Sequence, residues 1–206
     1  VIQACLADIE TLCQGAVEMH HKYFFDKIIK AAKNKVFQGW ADDGYGLLKS
    51  AVQFVCNKKQ AQKIMDIFPL LGTSYDGSPY PDQLLITLTI IERLDGAEAA
   101  DQYMMEHIDV PEMRMLAVEK AFAAKHYLRV EMLCREAIKA KVRGHFNRRP
   151  PWAYYLEQLY TETDQKENLL EIIQFILFQR DTSYFHKLKD MYVTENVWEE
   201  RREPLW

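Results

Sequence analysis

The chain has 206 residues, 49% of them hydrophobic, with 26 basic and 30 acidic side chains and a net charge of −4. That is long enough for one good-sized core or a continuous stacked one, and no apolar run approaches the roughly 20 residues a membrane span needs. The near balance of charge excludes a surface generally coated for nucleic acid and points to a soluble, cytoplasmic protein.

The first residue is Val1, which predicts a fragment or a processed product. Asp8 and Glu10 interrupt the first apolar run and no basic segment precedes it, so no signal peptide is expected. Cys5, Cys13, Cys56 and Cys134 stand singly in helix-like stretches, without any CxxC or CxC pair. Neither a zinc knuckle nor a disulfide framework follows from that spacing, and reduced, buried thiols are expected.

Residues 1–33 read as helical, with Ile2, Leu6, Ile9 and Leu12 on one stripe, a break or close contact at Gly15, and a second run through Val17, Tyr23, Phe24, Ile28 and Ala31. Asn34 is a stop signal. Phe37 and Trp40 fall in a connector and are expected to plug the core. Asp42-Asp43-Gly44 reads as a helix start, since carboxylates suit the positive end of the helix dipole and can cap its free N–H groups. Leu47, Leu48, Ala51, Val52 and Val55 follow at helical spacing. Asn57 breaks the pattern, and Ala61, Ile64, Met65 and Phe68 open another helix before Pro69 and Gly72. Residues 73–81, dense in Gly, Pro, Ser and Asp, form the clearest loop. It separates an N-terminal helical part (1–72) from a second region (82–206), the two expected to be continuous as one superhelical domain.

The second region repeats. Residues 84–108 align with 114–138 at an offset of 30, and 114–138 align with 153–177 at an offset of 39. Ile91, Ala121 and Tyr160 then share one slot, and Asp95, Lys125 and Asp164 share a turn. Tyr103, Leu133 and Ile172 coincide, as do Met104, Cys134 and Ile173, and Ile108, Ile138 and Leu177 close the second helix. Within one unit, Met113, Leu116, Ala117, Ala121 and Ala124 form one stripe, and Tyr127, Val130, Leu133, Cys134, Ala137 and Ile138 another. Neither helix buries its stripe alone, so each pair needs neighbours. Helix–turn–helix units are predicted near 82–108, 111–140, 151–178 and 181–200, the last a partial one through Leu188, Met191, Tyr192 and Asn196-Val197-Trp198. The fold class is all-α: stacked antiparallel helical hairpins in a right-handed α-α superhelix.

This array resembles the tetratricopeptide class, with Ala100, Ala137 and Tyr160 among the few agreements with its signature. Phe37-Gln-Gly-Trp40, Asp43-Gly-Tyr-Gly-Leu-Leu48, Tyr184-Phe-His-Lys-Leu-Lys189 and Val197-Trp-Glu-Glu-Arg201 together resemble the helical region that follows the zinc motif in bacterial SWIM zinc-finger family proteins and related uncharacterised proteins. The zinc motif itself is absent, so no zinc ligand is implied. The resemblance implies the accessory helical part of a larger protein.

Chemistry leaves few marks. Glu18 and His21 form a single ExxH pair, where bundle di-metal sites use two such pairs and two further Glu residues; Cys13 and His20 are another same-face pair. No metal or cofactor site is assigned. His107 falls in the apolar slot of Ala137 and Ile176 and, if buried, needs a hydrogen-bond partner. Lys139, Lys141, Arg143, Arg148 and Arg149, with His145 among them and Phe146, Trp152, Tyr154 and Tyr155 alongside, are the candidate anion or nucleic-acid contacts, although solvated loop charge is the simpler account. Asp42, Asp43 and Asp76 are explained as caps and turns. No phosphate-loop, dinucleotide, zinc-protease or nucleophile-elbow motif occurs, and no catalytic residue is assigned. The reading is a non-catalytic scaffold for a peptide or protein segment. The alternatives are a nucleic-acid-associated module using 139–149 and an enzyme whose site leaves no local trace.

Overall fold

The computed structural model describes residues 2–74, 77–141, 151–179, 181–194 and 198. It is all-helical, with no strand among the described residues. The helices are α1 (Ile2–Gln14), α2 (His21–Ala32), α3 (Ala41–Val52), α4 (Lys58–Met65), α5 (Phe68–Leu71), α6 (Pro81–Leu94), α7 (Ala97–Glu106), α8 (Pro111–Ala123), α9 (Tyr127–Lys139), α10 (Trp152–Glu162), α11 (Lys166–Phe178) and α12 (Tyr184–Thr194). None of those described is long and apolar enough to cross a membrane. The chain divides into two compact units, 1–113 and 114–206, the division falling within α8.

The first unit is built around α3. Its residues Asp43, Gly44, Tyr45, Leu47, Leu48, Ser50, Ala51 and Val52 are buried almost all round the helix, because α1, α2, α4, α5, α6 and the 3-10 turn Lys35–Gln38 all pack on it. Two helical glycines allow that crowding. A Cβ at Gly44 would stand 2.5 Å from Leu71 Cδ2 and 3.2 Å from Phe37 Cβ, and one at Gly46 would stand 3.0 Å from Leu6 Cδ1. The two acids expected to cap α3 lie in its first turn, which suits the dipole, but the N-cap position is Trp40 and makes no side-chain cap bond. Asn57, read as a break, is the N-cap of α4: its Oδ1 accepts from Gln60 N at 3.0 Å, and Gln60 Oε1 accepts from Cys56 N at 2.9 Å. Asn34 likewise ends one segment and starts the next, its Oδ1 accepting from Val36 N.

Three expectations in this unit need correction. On α1 the buried side chain is Cys13, while Leu12 is exposed. On α2 the buried face is Phe25, Ile28, Ile29 and Ala32, one position on from the face drawn through Phe24 and Ala31, with Tyr23 exposed. Both helices pack on α3 with one stripe only, and either of two adjacent apolar residues could have supplied it. Trp40 does not plug the core; it is 65% exposed, whereas Phe37 is half-buried against the core.

The α6–α7 hairpin belongs to the same unit, with Ile86 and Ile90 in the core around α3. Arg93 Nε donates to Val55 O at 3.1 Å, fixing α6 to the connector between α3 and α4. Its turn is made by Gly96 at φ +94.

In the second unit α9, α10, α11 and α12 pack in succession, each on the next. Positions aligned by the offsets of 30 and 39 share a turn hydrogen bond, although Asp95 is right-handed where its aligned Lys125 and Asp164 are left-handed. The carbonyls of Ile91, Ala121 and Tyr160 accept from Gly96 N at 3.2 Å, His126 N at 2.8 Å and Gln165 N at 2.9 Å. Lys125 and Asp164 take the left-handed conformation in their turns, at φ 57 and 51, each completing a Schellman-type stop without glycine. Leu133, Cys134, Ala137, Ile172, Ile173 and Ile176 are buried, as aligned. Ala124, placed on the first stripe, is exposed at the helix end. Arg114 is buried beneath α9, where its Nη1 donates to Leu133 O at 3.0 Å and reaches Glu136 Oε2 at 3.5 Å.

Two stability experiments follow. Leu133 is 1% exposed, so Leu133→Ala should cost about 2–5 kcal/mol in urea unfolding; an unchanged midpoint would contradict its burial. Tyr45 is fully buried between Phe68 and Tyr80, ring centroids 6.0 and 5.6 Å away, and its hydroxyl has no hydrogen-bond partner. Tyr45→Phe removes a desolvated polar atom and should raise stability by about 1 kcal/mol or leave it unchanged. A clear loss in the thermal midpoint would mean the hydroxyl is satisfied.

Candidate functional site

The second unit carries an open groove of about 430 Å³ across α10, α11 and α12. Its form follows from the α10–α11 turn. With Asp164 left-handed, α10 stops abruptly and α11 folds back, and side-chain bonds from Gln165 Nε2 to Thr163 Oγ1 and from Asn168 Nδ2 to Gln165 Oε1 tighten the corner. α12 then packs on α11 through Leu188 and Tyr192 against Ile173. Between turn and helix the groove exposes the flanks of Leu169 and Met191, with Tyr160 beneath and Asp164, Lys166, Lys187 and Asp190 at the rim.

Tyrosine–carboxylate hydrogen bonds hold this region together. Tyr155 Oη donates to Glu119 Oε1 at 2.8 Å, joining α10 to α8. Tyr184 Oη donates to Glu157 Oε2, joining α12 to α10, and Lys187 pairs with the other oxygen of the same carboxylate. Tyr160 Oη donates to Glu131 Oε1 at 2.7 Å across α9 and α10. Arg135 completes that cluster: Nε donates to Glu131 at 2.9 Å and to Tyr160 Oη at 3.1 Å, and Nη1 reaches Glu171 at 3.4 Å. Burial followed by a bond to a carboxylate pushes the hydroxyls of Tyr155, Tyr160 and Tyr184 well above the usual phenol range. Burial by itself would raise the Glu131 carboxyl, but the bonds from Tyr160 and Arg135 outweigh it and hold it below its ordinary value.

Of the candidate anion contacts, Lys139 is the exposed last residue of α9 and Lys141 sits just past it at φ 54. Arg143, Arg148 and Arg149, with His145 and Phe146, lie outside the described residues. The neighbouring aromatics have other partners: Trp152 is 3% exposed, Tyr154 Oη donates to Asp181 at 2.8 Å, and Tyr155 is bound to Glu119.

His107, just beyond α7, does not enter the core as Ala137 and Ile176 do. It is half-buried, its Nδ1 lies 2.9 Å from Tyr103 O, and its ring lies on Tyr103 with centroids 4.2 Å apart. His21 is bonded through Nε2 to Ala16 O at 3.1 Å and its ring lies 5.0 Å from that of Phe54. Among the described residues no group of three His, Cys, Asp or Glu is arranged to hold a metal ion. Cys13 and Cys134 are buried, and burial pushes the Cys134 thiol up to about 12. Cys5 and Cys56 are exposed, which corrects the expectation that all four thiols are buried. Asp42 is exposed, Asp43 is buried in the first turn of α3, and Asp76 lies outside the described residues.

Sequence reasoning named Tyr160, Asp164 and Met191 as a core slot, a turn and a stripe position, without joining them in one groove. Spacing along one helix carries no sign of a surface made by three.

Comparison with known proteins finds no matching family model, no matching curated protein and no matching solved structure.

The tyrosine bonds set an alkaline limit. A phenol whose pKa is raised on folding contributes stability that is complete below the unfolded value of about 10 and is lost as pH rises through the folded value. The unfolding midpoint should therefore fall above about pH 10, and Tyr155→Phe with Tyr184→Phe should flatten that fall. An alkaline limb of unchanged slope in the double variant would place the titrating groups elsewhere.

Proposed function

We propose that this chain is a non-catalytic helical scaffold that binds a peptide or protein segment in the groove of α10, α11 and α12. One observation carries the reading: an open groove of about 430 Å³ with apolar side chains in its floor and charges at its rim. That volume lies in the range of roughly 300–1,000 Å³ usual for binding sites, and a floor of Leu and Met suits the apolar anchors of a bound segment.

The finer architecture belongs to the same proposal. The bonds that join α10 to α8 and α12 to α10 support this reading, since hairpins stacked into a tetratricopeptide-like superhelix set first helices side by side. On this reading the chain works as part of a larger, cytoplasmic protein, in the manner of the helical region its sequence resembles. The basic 139–149 connector contributes by charge alone. Burial of Trp152 and the half-buried, carboxylate-bound Tyr155 leave Tyr154 as the open ring beside the connector among the described residues, which favours the peptide over a single-stranded nucleic acid that stacks on several open aromatic faces.

The test is a selection of random linear peptides on the wild-type protein and on Thr161→Trp. Thr161 is an exposed rim residue whose hydroxyl bonds only its own helix, to Glu157 O, so the bulky substitution fills the mouth and leaves the floor intact. Peptides recovered on the wild type and lost on the variant are expected. In parallel, a fluorescent single-stranded oligonucleotide should show no measurable binding even near 50 mM salt. Tight, salt-sensitive binding that is lost when Lys141, Arg143, Arg148 and Arg149 become Gln would favour the nucleic-acid reading instead.

A further inference from the structure

The rim charges narrow the kind of segment the groove takes. Lys187 pairs with Glu157, so that cation is already matched inside the protein. Asp164 in the α10–α11 turn and Asp190 on α12 are exposed, and neither carboxylate has a side-chain partner among the described residues. Lys166 is the remaining unmatched cation on the rim, and it sits on the first residue of α11. Two unmatched carboxylates against one unmatched ammonium leave the rim net acidic above a floor of Leu169 and Met191.

From this we propose that the groove takes a basic peptide segment: a bulky apolar side chain on Leu169 and Met191, with an Arg or Lys close by in sequence meeting Asp164 or Asp190. The inference rests on the groove being the binding surface. Neither half suffices alone. An apolar side chain gains by leaving water but does not choose among sequences. A rim ion pair adds little affinity yet rejects like charge and speeds encounter with opposite charge. The hydroxyls of Thr161 and Thr194 bond to the Glu157 and Asp190 carbonyls of their own helices, so the two carboxylates and Lys166 are the rim groups left to select a partner, with the carboxylates in excess.

The test reads the charge of the selected peptides. Those recovered on the wild type and lost on Thr161→Trp should pair a Leu, Ile, Phe or Met with an Arg or Lys within a few positions. A synthetic peptide of the recovered consensus should bind the Asp164→Asn/Asp190→Asn double variant about fivefold more weakly in fluorescence polarisation, with a shallower dependence on salt. Both substitutions are at exposed positions, and an unchanged thermal midpoint would show that the fold is kept. Replacing the basic residue of that peptide with Glu should weaken binding to the wild type more than to the double variant. Groove-dependent peptides that are neutral or acidic, or equal affinity for the wild type and the double variant, would overturn the basic-segment inference and leave the groove as a binding surface. Failure to recover any peptide sensitive to Thr161→Trp would overturn the groove reading and this inference with it.

Discussion

No described helix of this molecule can stand alone. The longest described, α6, has 14 residues, about the length below which an isolated helix is marginal in water. Every helix therefore depends on an apolar face buried by a neighbour. In the first unit that need converges on α3, which is buried almost all round and carries glycine where its neighbours approach. In the second unit it is met serially, each helix from α9 onward packing on the next.

The two solutions use polar groups differently. Around α3, contact is so close that the Tyr45 hydroxyl is left without a partner, and burial pushes it up to about 12. That is a cost borne by a dense core. In the second unit Tyr155, Tyr160 and Tyr184 lie at helix–helix seams, where Glu119, Glu131 and Glu157 accept from their hydroxyls. A phenol bonded to a carboxylate is a charge-assisted bond and tolerates partial burial. The seams are thereby fixed in register while the outer flanks of Leu169 and Met191 stay open.

The open flank gives the second unit its functional interest. Leu188 and Tyr192 close one side of α12 against Ile173, and the side toward the α10–α11 turn remains a groove. Its rim holds two cations, of which Lys187 is paired with Glu157 and Lys166 is not, and two carboxylates, Asp164 and Asp190. On the proposed reading, charge at the edge would discriminate between segments and apolar contact at the floor would bind them.

Helical periodicity by itself determined the all-helical class and most helix limits. The pairs α6–α7, α8–α9 and α10–α11 fall where 82–108, 111–140 and 151–178 were read, because apolar residues three and four apart have one face to bury whatever covers it. The turn slots at Lys125 and Asp164 were legible for the same reason. Periodicity could not choose between adjacent apolar residues, so the first stripe was drawn through Leu12, which is exposed, and the second through Phe24 and Ala31 in place of Phe25 and Ala32. Nor could composition show that Trp40 faces solvent or that Cys5 and Cys56 are exposed, since bulk and thiol chemistry are the same in either place. The groove lies beyond any one-dimensional signal. Tyr160, Asp164, Leu169 and Asp190 come from three helices and a turn, and only the packing of α12 on the α10–α11 hairpin sets them around one space.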